Sequence, residues 1–197
     1  MNHGGTIPLL TPRLALRRLT PEDAQMMFGN WAADPAVTRW LRWQPHRDWT
    51  VSADFLAETA RHYGAPDWYQ WGITERSTGI LFGSICLMRE EPDDGWTFDA
   101  APLGDAWAPG YCIGQKWWGR GYTTEALCAV RDYWFGAVGG RWLACCHANE
   151  NVASGAVMQK AGFTYDHDAA YHRFDGSPVP CRVYKLLRED WHGTNAD

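Results

Sequence analysis

A glycine-rich junction between a strand pattern and a helix pattern restricts the fold of this chain more than any other feature. Residues 107–113 are rich in β-forming side chains, and after Gly119-Arg120-Gly121 the segment from Gly121 to Phe135 carries its apolar side chains on one helical stripe. The free N–H groups and dipole of a helix start attract an anion, and glycines let a pyrophosphate come close. An ordinary strand-to-helix turn explains the glycines equally well. A P-loop is excluded because no G-K-[ST] follows, and the third glycine of a dinucleotide fingerprint is absent.

Hydrophobic periodicity predicts helices first and then strands on the N-terminal side of this junction. The predicted N-terminal elements are a half-buried strand over 14–19, a helix capped by Thr20 that runs to about Ala33, and helices over 35–42 and 51–63. An antiparallel meander follows, with strands at Tyr69 to Thr74, Ile80 to Met88 and Trp107 to Ile113, and a turn signal at Pro92-Asp93-Asp94-Gly95.

The C-terminal part predicts a strand, a helix and a closing strand. The run from Trp142 to Cys146 is uninterrupted and apolar, which indicates a strand buried on both faces in the middle of a sheet. Asn151 is a good N-cap for the next helix, and Gly162 ends it. A last strand over 182–187 closes the domain, and the final five residues, GTNAD, have the composition of a frayed terminus.

Length and charge narrow the classes of function. The chain has 197 residues and a net charge of −5, so we expect one domain over 1–197 without a basic field for nucleic acid or an anionic membrane. No apolar stretch approaches the roughly 20 residues that span a bilayer, and MNHGGTIPLL lacks the features of a signal peptide. We therefore expect a cytoplasmic protein. The six cysteines lack metal-ligand spacing, so we expect neither a metal site nor a disulfide.

Thirteen tryptophans are many for a chain of this length. Five of them crowd one N-terminal region: Trp40, Trp43, Trp49, Trp68 and Trp71. Aromatic rings in such a cluster either line a substrate cleft or fill the core, and core filling is the commoner role. The sequence alone leaves both roles open.

The segment GYCIGQKWWGRGYTTEAL, followed further along the chain by NVASGAVMQKAGF, resembles the GNAT superfamily of N-acetyltransferases. The start LLTPRLALRRLTPEDAQMMF and the end VYKLLREDW resemble it too, so the likeness covers a core of about 9–191, and the branch it resembles holds the ribosomal-protein alanine and serine N-acetyltransferases. The resemblance implies an α/β (α+β) fold with a strongly twisted, mixed but largely antiparallel sheet flanked by helices. Its central strands, ending near Ile113 and His147, would splay apart to form a cleft for acetyl-CoA.

The resemblance also implies which residues bind acetyl-CoA, the expected cosubstrate. Backbone amides would hold the pyrophosphate, and the residues concerned are Trp117, Trp118, Gly119, Arg120, Gly121, Tyr122 and Thr123. Cys112 and Ile113 would pair with the pantetheine arm like an added strand, while Asn151 and Ser154 would contact it from the next helix. The N-cap role of Asn151 needs no ligand, so that interpretation stays open. One departure is Lys116, where the family commonly has Gln or Arg.

The expected reaction is direct attack of a neutral amine on the thioester, with a backbone N–H near Ile113 polarising the carbonyl. Ser154 is the candidate general acid, because Met158 occupies the position where many superfamily members carry a donor tyrosine. A local helix hydrogen bond is an equally good explanation of Ser154. Glu150 is the candidate base, with His147 as an alternative, and either is equally compatible with a solvated loop. Glu125 most often complements the helix dipole at such a position.

The expected partner is an amine acceptor, either a small molecule or a protein N-terminus, and the expected assembly is a monomer or a homodimer. Neither nucleic acid nor a membrane is expected as a partner. The alternative function is a non-catalytic acyl-CoA-binding module with the same fold. Met158 favours that alternative, whereas Ser154 and the complete glycine segment oppose it.

Overall fold

The computed structural model describes residues 1–89 and 106–193. Eight strands within these ranges form two sheets, and every pairing in them is antiparallel. The five-stranded sheet has the order β1-β2-β3-β4-β5, where β1 is Leu9–Leu10, β2 Leu14–Arg17, β3 Tyr69–Glu75, β4 Leu81–Arg89 and β5 Trp107–Ile113. The three-stranded sheet has the order β6-β8-β7, where β6 is Trp142–Ala148, β7 Thr164–His172 and β8 Pro178–Leu187. The predicted meander is therefore confirmed.

Five helices flank these sheets, with the bounds α1 Ala24–Met27, α2 Pro35–Thr38, α3 Trp49–His62, α4 Tyr122–Tyr133 and α5 Val152–Lys160. A 3₁₀ turn over Pro21–Asp23 precedes α1, and wider turns over Phe28–Ala32 and Trp134–Val138 extend α1 and α4. The helix predicted to follow Thr20 is thus present, and the Asp23 carboxylate accepts the Thr20 N–H at its start. None of the helices in the described part of the chain is long and apolar enough to cross a membrane.

The five-stranded sheet lies between two groups of helices. On one face, side chains such as Leu16, Trp71 and Phe82 pack against the buried stripe of α4. On the other face, Leu19 and Leu81 pack against α1 and α3. The first core also takes in Leu143 and Leu186 of the second sheet, so one continuous apolar core joins the two sheets. A shared core of this kind is what a single domain requires.

The two sheets meet where β5 lies beside β6. The strands are close near Pro109, whose carbonyl oxygen is 3.2 Å from Cys145 Sγ, but no ladder joins them. The prediction that residues 142–146 form a strand in the middle of a sheet is therefore wrong, since β6 is hydrogen-bonded only to β8. Its side chains are nonetheless nearly all buried, because one face packs into the main core through Leu143 and the other packs against the apolar cluster that contains Tyr171.

Several predicted boundaries shift. The helix predicted over 51–63 begins at Trp49, because the Asp48 carboxylate accepts the Thr50 N–H and caps it. The helix predicted over 35–42 ends at Thr38, and the last strand begins at Pro178 rather than 182. Hydrophobic periodicity does not indicate β7. The turn signal at Pro92-Asp93-Asp94-Gly95 and most of the GTNAD terminus lie outside the described residues.

Candidate active site

Two cavities open in the gap between β5 and β6. The first, of about 550 Å³, lies at the start of α4 and is lined by Ile113, Gly119, Gly121 and residues of α5; we call it the α4 cavity. The second, of about 530 Å³, is lined by Trp43, Phe55 and residues of β4 and β6; we call it the Trp43 cavity. Six residues line both cavities: Trp40, Leu41, Tyr111, Cys112, Asn151 and Ser154. The two cavities therefore meet at a junction.

The α4 cavity contains the glycine segment. Gly119 and Gly121 have φ angles of 72° and 76°, in the left-handed region that glycine adopts without strain. A Cβ atom on Gly119 would meet no atom within 4 Å, so the backbone there faces open space. The first hydrogen bond of α4 runs from the Glu125 N–H to the Gly121 carbonyl, which leaves the N–H groups of the first turn without an acceptor inside the helix. This geometry fits a pyrophosphate.

The side chains of the other predicted phosphate-site residues have structural contacts. Trp117 stacks on Phe82, and the Tyr122 hydroxyl donates to Glu75 at 2.7 Å. The carbonyl of Arg120 accepts a hydrogen bond from Arg13, and Arg120 lines neither cavity. Any contribution of Trp117 and Tyr122 to phosphate binding is therefore through the backbone. Two further residues line the α4 cavity as predicted, and these are Trp118 and Thr123.

The register of β5 decides which of its backbone groups face the gap. The Gly114 N–H donates to the Phe82 carbonyl, and pairs along an antiparallel ladder alternate between bonded and non-bonded. The Cys112 backbone is consequently bonded to Ser84, and the backbone groups of Ile113 and Tyr111 point towards β6. The ladder therefore turns the Cys112 backbone towards β4, although Cys112 lines both cavities as predicted for a residue of the cofactor site. Ile113 fits the role of pairing with the pantetheine arm, although its carbonyl already accepts the Trp118 indole N–H at 2.9 Å.

A pair of hydroxyl groups marks the junction of the cavities. Ser154 Oγ lies 2.9 Å from Tyr111 Oη, and the same tyrosine oxygen is 3.3 Å from the Ser154 carbonyl. Burial raises the pKa of Tyr111 well above its ordinary value, so the phenol keeps its proton. Asn151 caps α5 by accepting the Ser154 N–H, as predicted, and also lines both cavities. Sequence reasoning found Ser154 and Asn151 but missed Tyr111.

The two candidate bases, Glu150 and His147, line different cavities. Glu150 is exposed and lines the α4 cavity, so it does not reach the wall of the Trp43 cavity. His147 is buried in that wall, where its Nδ1 lies 2.8 Å from the Ala148 carbonyl and therefore carries the ring proton. His147 Nε2 has no hydrogen-bond partner among the described residues. Glu125 is bonded to Thr11 and Arg13, so its role is structural.

Met158 stands where the family often has a tyrosine, and its side chain is fully buried in the main core. It contributes packing and no proton donor. The six cysteines are free thiols, and no cluster of potential metal ligands occurs in residues 1–89 and 106–193. Trp71 fills the core, whereas Trp40 and Trp43 line the cavities, so the tryptophan cluster serves both roles that the sequence left open.

A glycine-rich helix start in one cavity, joined to a second cavity at a hydroxyl pair, is the arrangement of a group-transfer enzyme with two substrates. Comparison with known proteins identifies which one: residues 13–164 match the acetyltransferase (GNAT) domain family. The chain therefore belongs to the GNAT family of acetyltransferases. The expected enzyme class, an acetyl-CoA-dependent N-acetyltransferase, is confirmed by this match.

Individual relatives agree with the family. YoaA, an uncharacterized N-acetyltransferase of Bacillus subtilis (strain 168), is 27% identical over 184 residues, which cover 92% of this chain and 97% of YoaA. The ribosomal-protein-S5-alanine acetyltransferase of Vibrio fischeri has a TM-score of 0.70 at 14% identity, covering 94% of this chain and 99% of its own. The microcin C7 self-immunity acetyltransferase MccE, solved with acetyl-CoA and AMP, has a TM-score of 0.70 at 15% identity. The match covers 90% of this chain and 93% of the MccE chain. The expected fold is confirmed.

Proposed function

We propose that this enzyme transfers the acetyl group of acetyl-CoA directly to a primary amine, either a small molecule or the N-terminal amine of a peptide. The junction of the two cavities carries this proposal, because a donor in the α4 cavity and an amine in the Trp43 cavity can meet there. Cys112 also lines the junction, but burial raises the pKa of its thiol to about 11. A protonated thiol is a poor nucleophile, which favours direct attack over an acyl-enzyme.

The α4 cavity suits acetyl-CoA, which supplies an acetyl group activated as a thioester. The N–H groups that follow Gly119 and Gly121 would bind the pyrophosphate, and the inward-facing backbone of Ile113 would pair with the pantetheine arm. The Ile113 N–H would also stabilise the negative charge that develops on the carbonyl oxygen. The side chain of Asn151 lines both cavities and would hold the same arm from α5.

Ser154 and Tyr111 form the proposed proton donor. Ser154 would give its hydroxyl proton to the sulfur as the carbon–sulfur bond breaks, and Tyr111 would donate a hydrogen bond to the serine oxygen as charge develops on it. The raised pKa of Tyr111 keeps that hydrogen available. The hydroxyl pair therefore replaces the donor that Met158 cannot provide.

His147 is the proposed base in place of Glu150. Its Nδ1 carries a proton and donates a hydrogen bond to the Ala148 carbonyl. Nε2 therefore holds a lone pair that can accept a proton from the amine. Nε2 is itself buried and faces Gly155 of α5, so proton transfer to it would require the imidazole or α5 to move. The overall change is balanced when Ser154 regains from solvent the proton that it gives to the sulfur, and His147 releases to solvent the proton that it takes from the amine.

The test is release of free CoA thiol from acetyl-CoA in the presence of a panel of amines. Turnover with at least one amine supports the proposal, and binding of acetyl-CoA without turnover on any amine would favour the alternative of a non-catalytic acyl-CoA-binding module. A parallel thermal-shift titration checks the α4 cavity. Acetyl-CoA at 100 times its Kd should add about 2.7 kcal/mol of stability, and ATP and NADH should add much less.

The six free thiols fit a compartment that keeps cysteine reduced, and we place the enzyme in the cytoplasm on that ground. A monomer or a homodimer is the proposed assembly. Whether two copies associate is open to measurement by sedimentation.

A further inference from the structure

A cluster of hydrogen bonds ties the segment between β1 and β2 to the first turn of α4, next to the glycine segment. Glu125 Oε1 accepts the Thr11 hydroxyl at 2.6 Å and the Arg13 N–H at 3.0 Å, while Oε2 accepts Arg13 Nε at 2.6 Å. Burial raises the pKa of Glu125, but the hydrogen bonds from Thr11 and Arg13 lower it by more. The carboxylate is therefore ionised at pH 7 and holds the Arg13 side chain in a fixed place.

The Arg13 guanidinium uses a second nitrogen to hold the backbone of the glycine segment. Its Nη1 donates to the Arg120 carbonyl at 2.9 Å, and its Nη2 would lie 3.5 Å from a Cβ atom on Gly121. The ring of Tyr122 supports the same group, because the guanidinium carbon lies 4.5 Å from the ring centre. One side chain thus contacts three consecutive residues at the start of α4.

The hydrogen bond to Arg120 fixes the direction of the next N–H group. The carbonyl and the N–H of one trans peptide unit point in opposite directions. Because the Arg120 carbonyl points towards Arg13, the Gly121 N–H points away from it. Gly121 lines the α4 cavity and Arg13 does not, so this orientation suits a donor directed at a ligand in the cavity. Without the bond, the glycines at 119 and 121 would let this peptide unit rotate at low cost.

We infer that Arg13 is a positioning residue for the pyrophosphate of acetyl-CoA and that Glu125 acts through it. Arg13 keeps the Gly121 N–H directed into the α4 cavity before the cofactor arrives, which reduces the cost of ordering the loop on binding. The inference rests on the proposed function and deepens its account of the α4 cavity. It differs from a simple effect of charge, because Arg13 lines neither cavity and its charge is already paired with Glu125.

Arg13→Lys tests the inference while it keeps the positive charge. The Arg13 side chain is 46% exposed, so the variant should fold. A lysine ammonium can pair with Glu125, but it lacks the planar fork that reaches the Arg120 carbonyl with a second nitrogen. The Kd for acetyl-CoA, measured by calorimetry, should rise about tenfold to a hundredfold, which is the usual contribution of one hydrogen bond to a charged group. The kcat at saturating acetyl-CoA should be unchanged, because the pyrophosphate is remote from the thioester.

Glu125→Gln separates positioning from charge by the sign of its effect. Removal of a negative charge near a pyrophosphate would by itself strengthen the binding of acetyl-CoA. Loss of the charged partner of Arg13 should instead weaken binding, because a neutral amide holds the guanidinium less firmly than a carboxylate does. We expect a rise in Kd that is smaller than the rise in Arg13→Lys.

Arg17→Lys is the matched control. Arg17 lies on β2, bonds the Asp23 carboxylate through two nitrogens at 2.8 Å and lines neither cavity. The substitution therefore disturbs a similar ion pair at a distance from the glycine segment. It should leave the Kd for acetyl-CoA unchanged even where thermal unfolding shows a lower Tm.

The outcomes are distinguishable. An unchanged Kd in Arg13→Lys, tighter binding in Glu125→Gln, or an equal loss of affinity in Arg17→Lys overturns the positioning role and leaves the acetyltransferase proposal intact. A wild type that does not bind acetyl-CoA overturns both. Weaker binding in Arg13→Lys and Glu125→Gln, with an unchanged kcat and an unchanged control, supports both.

Discussion

Replacement of Ser154 by alanine tests the proposed proton donor most directly. The change removes the hydroxyl group that lies 2.9 Å from Tyr111 Oη, but the Ser154 backbone carbonyl remains 3.3 Å from the same oxygen. Tyr111 therefore keeps an acceptor in the variant. The loss of stability should equal that of one neutral hydrogen bond, about 1 kcal/mol, which lowers Tm by roughly 2–4 °C in a chain of this length.

The expected effect on rate is much larger. A positioned general acid contributes about 10²- to 10⁴-fold, so kcat should fall within that range. The Kd for acetyl-CoA should change little, because the serine acts on charge that appears only as the carbon–sulfur bond breaks. The assay is steady-state thiol release, with calorimetric titration of acetyl-CoA and thermal unfolding on the same preparation.

Tyr111→Phe extends the test to the partner hydroxyl. If Ser154 and Tyr111 act as one unit, the double variant should be no slower than the slower single variant. Independent roles would instead give multiplicative losses. Tyr165→Phe is the control, since Tyr165 is 51% exposed and lines neither cavity.

The pH dependence has a definite sign. Burial raises the pKa of Tyr111 above the ordinary tyrosine pKa of about 10, so the phenol stays protonated and the donor should cause no loss of kcat between pH 7 and about 9.

The reasoning about the proton donor would be refuted by a Ser154→Ala protein with wild-type kcat and a Tm lowered by a few degrees. That result would make the hydroxyl pair structural and leave water as the proton donor.

Three further variants test other parts of the site and the fold. Gly119→Val should weaken acetyl-CoA binding measured by calorimetry, whereas Gly79→Val should not, because both glycines have a φ of 72° and open space around a Cβ but only Gly119 lines the α4 cavity. His147→Gln should lower kcat by about 10²- to 10⁴-fold and Glu150→Gln should not, as steady-state kinetics will show. Burial raises the pKa of Asp23, but hydrogen bonds from Arg17 and Thr20 lower it by more. The pKa of Asp23 therefore lies below its ordinary value. The Asp23 carboxylate therefore stabilises the fold above about pH 4 and loses this effect as the pH falls, so Asp23→Asn should flatten the acid limb of unfolding free energy against pH.

Local sequence signals predicted most of the fold, and the misses have a common cause. β7 has only one buried side chain, Tyr171, among its nine residues, so this edge strand shows no alternation to detect. The apolar run of β6 indicated burial correctly but not its pairing, because apolar clusters cover its two faces whether or not β5 is hydrogen-bonded to its edge. Hydrophobic patterns report contact with water and cannot distinguish these two arrangements.

The site shows the same limit at the level of single residues. Asn151 and Ser154 could be predicted because a cap and a first-turn residue have fixed spacing along one helix. Tyr111 could not, because its partner is 43 positions away and only the register of β5 against β4 turns it towards α5. Glu150 and His147 are three positions apart, and the sequence alone does not show that Glu150 lines the α4 cavity whereas His147 lines the Trp43 cavity.

Met158 and Tyr111 together explain why the proposed donor pairs the Ser154 hydroxyl of α5 with a second hydroxyl from β5. The Met158 side chain is fully buried in the core that joins the two sheets, so a hydroxyl at that position would compete with packing rather than face the junction. Tyr111 approaches the junction from the opposite strand and brings a buried phenol to the same helix turn. The proposed hydroxyl pair thus depends on the placement of β5 relative to α5, which explains why a motif confined to α5 indicates Ser154 but not Tyr111.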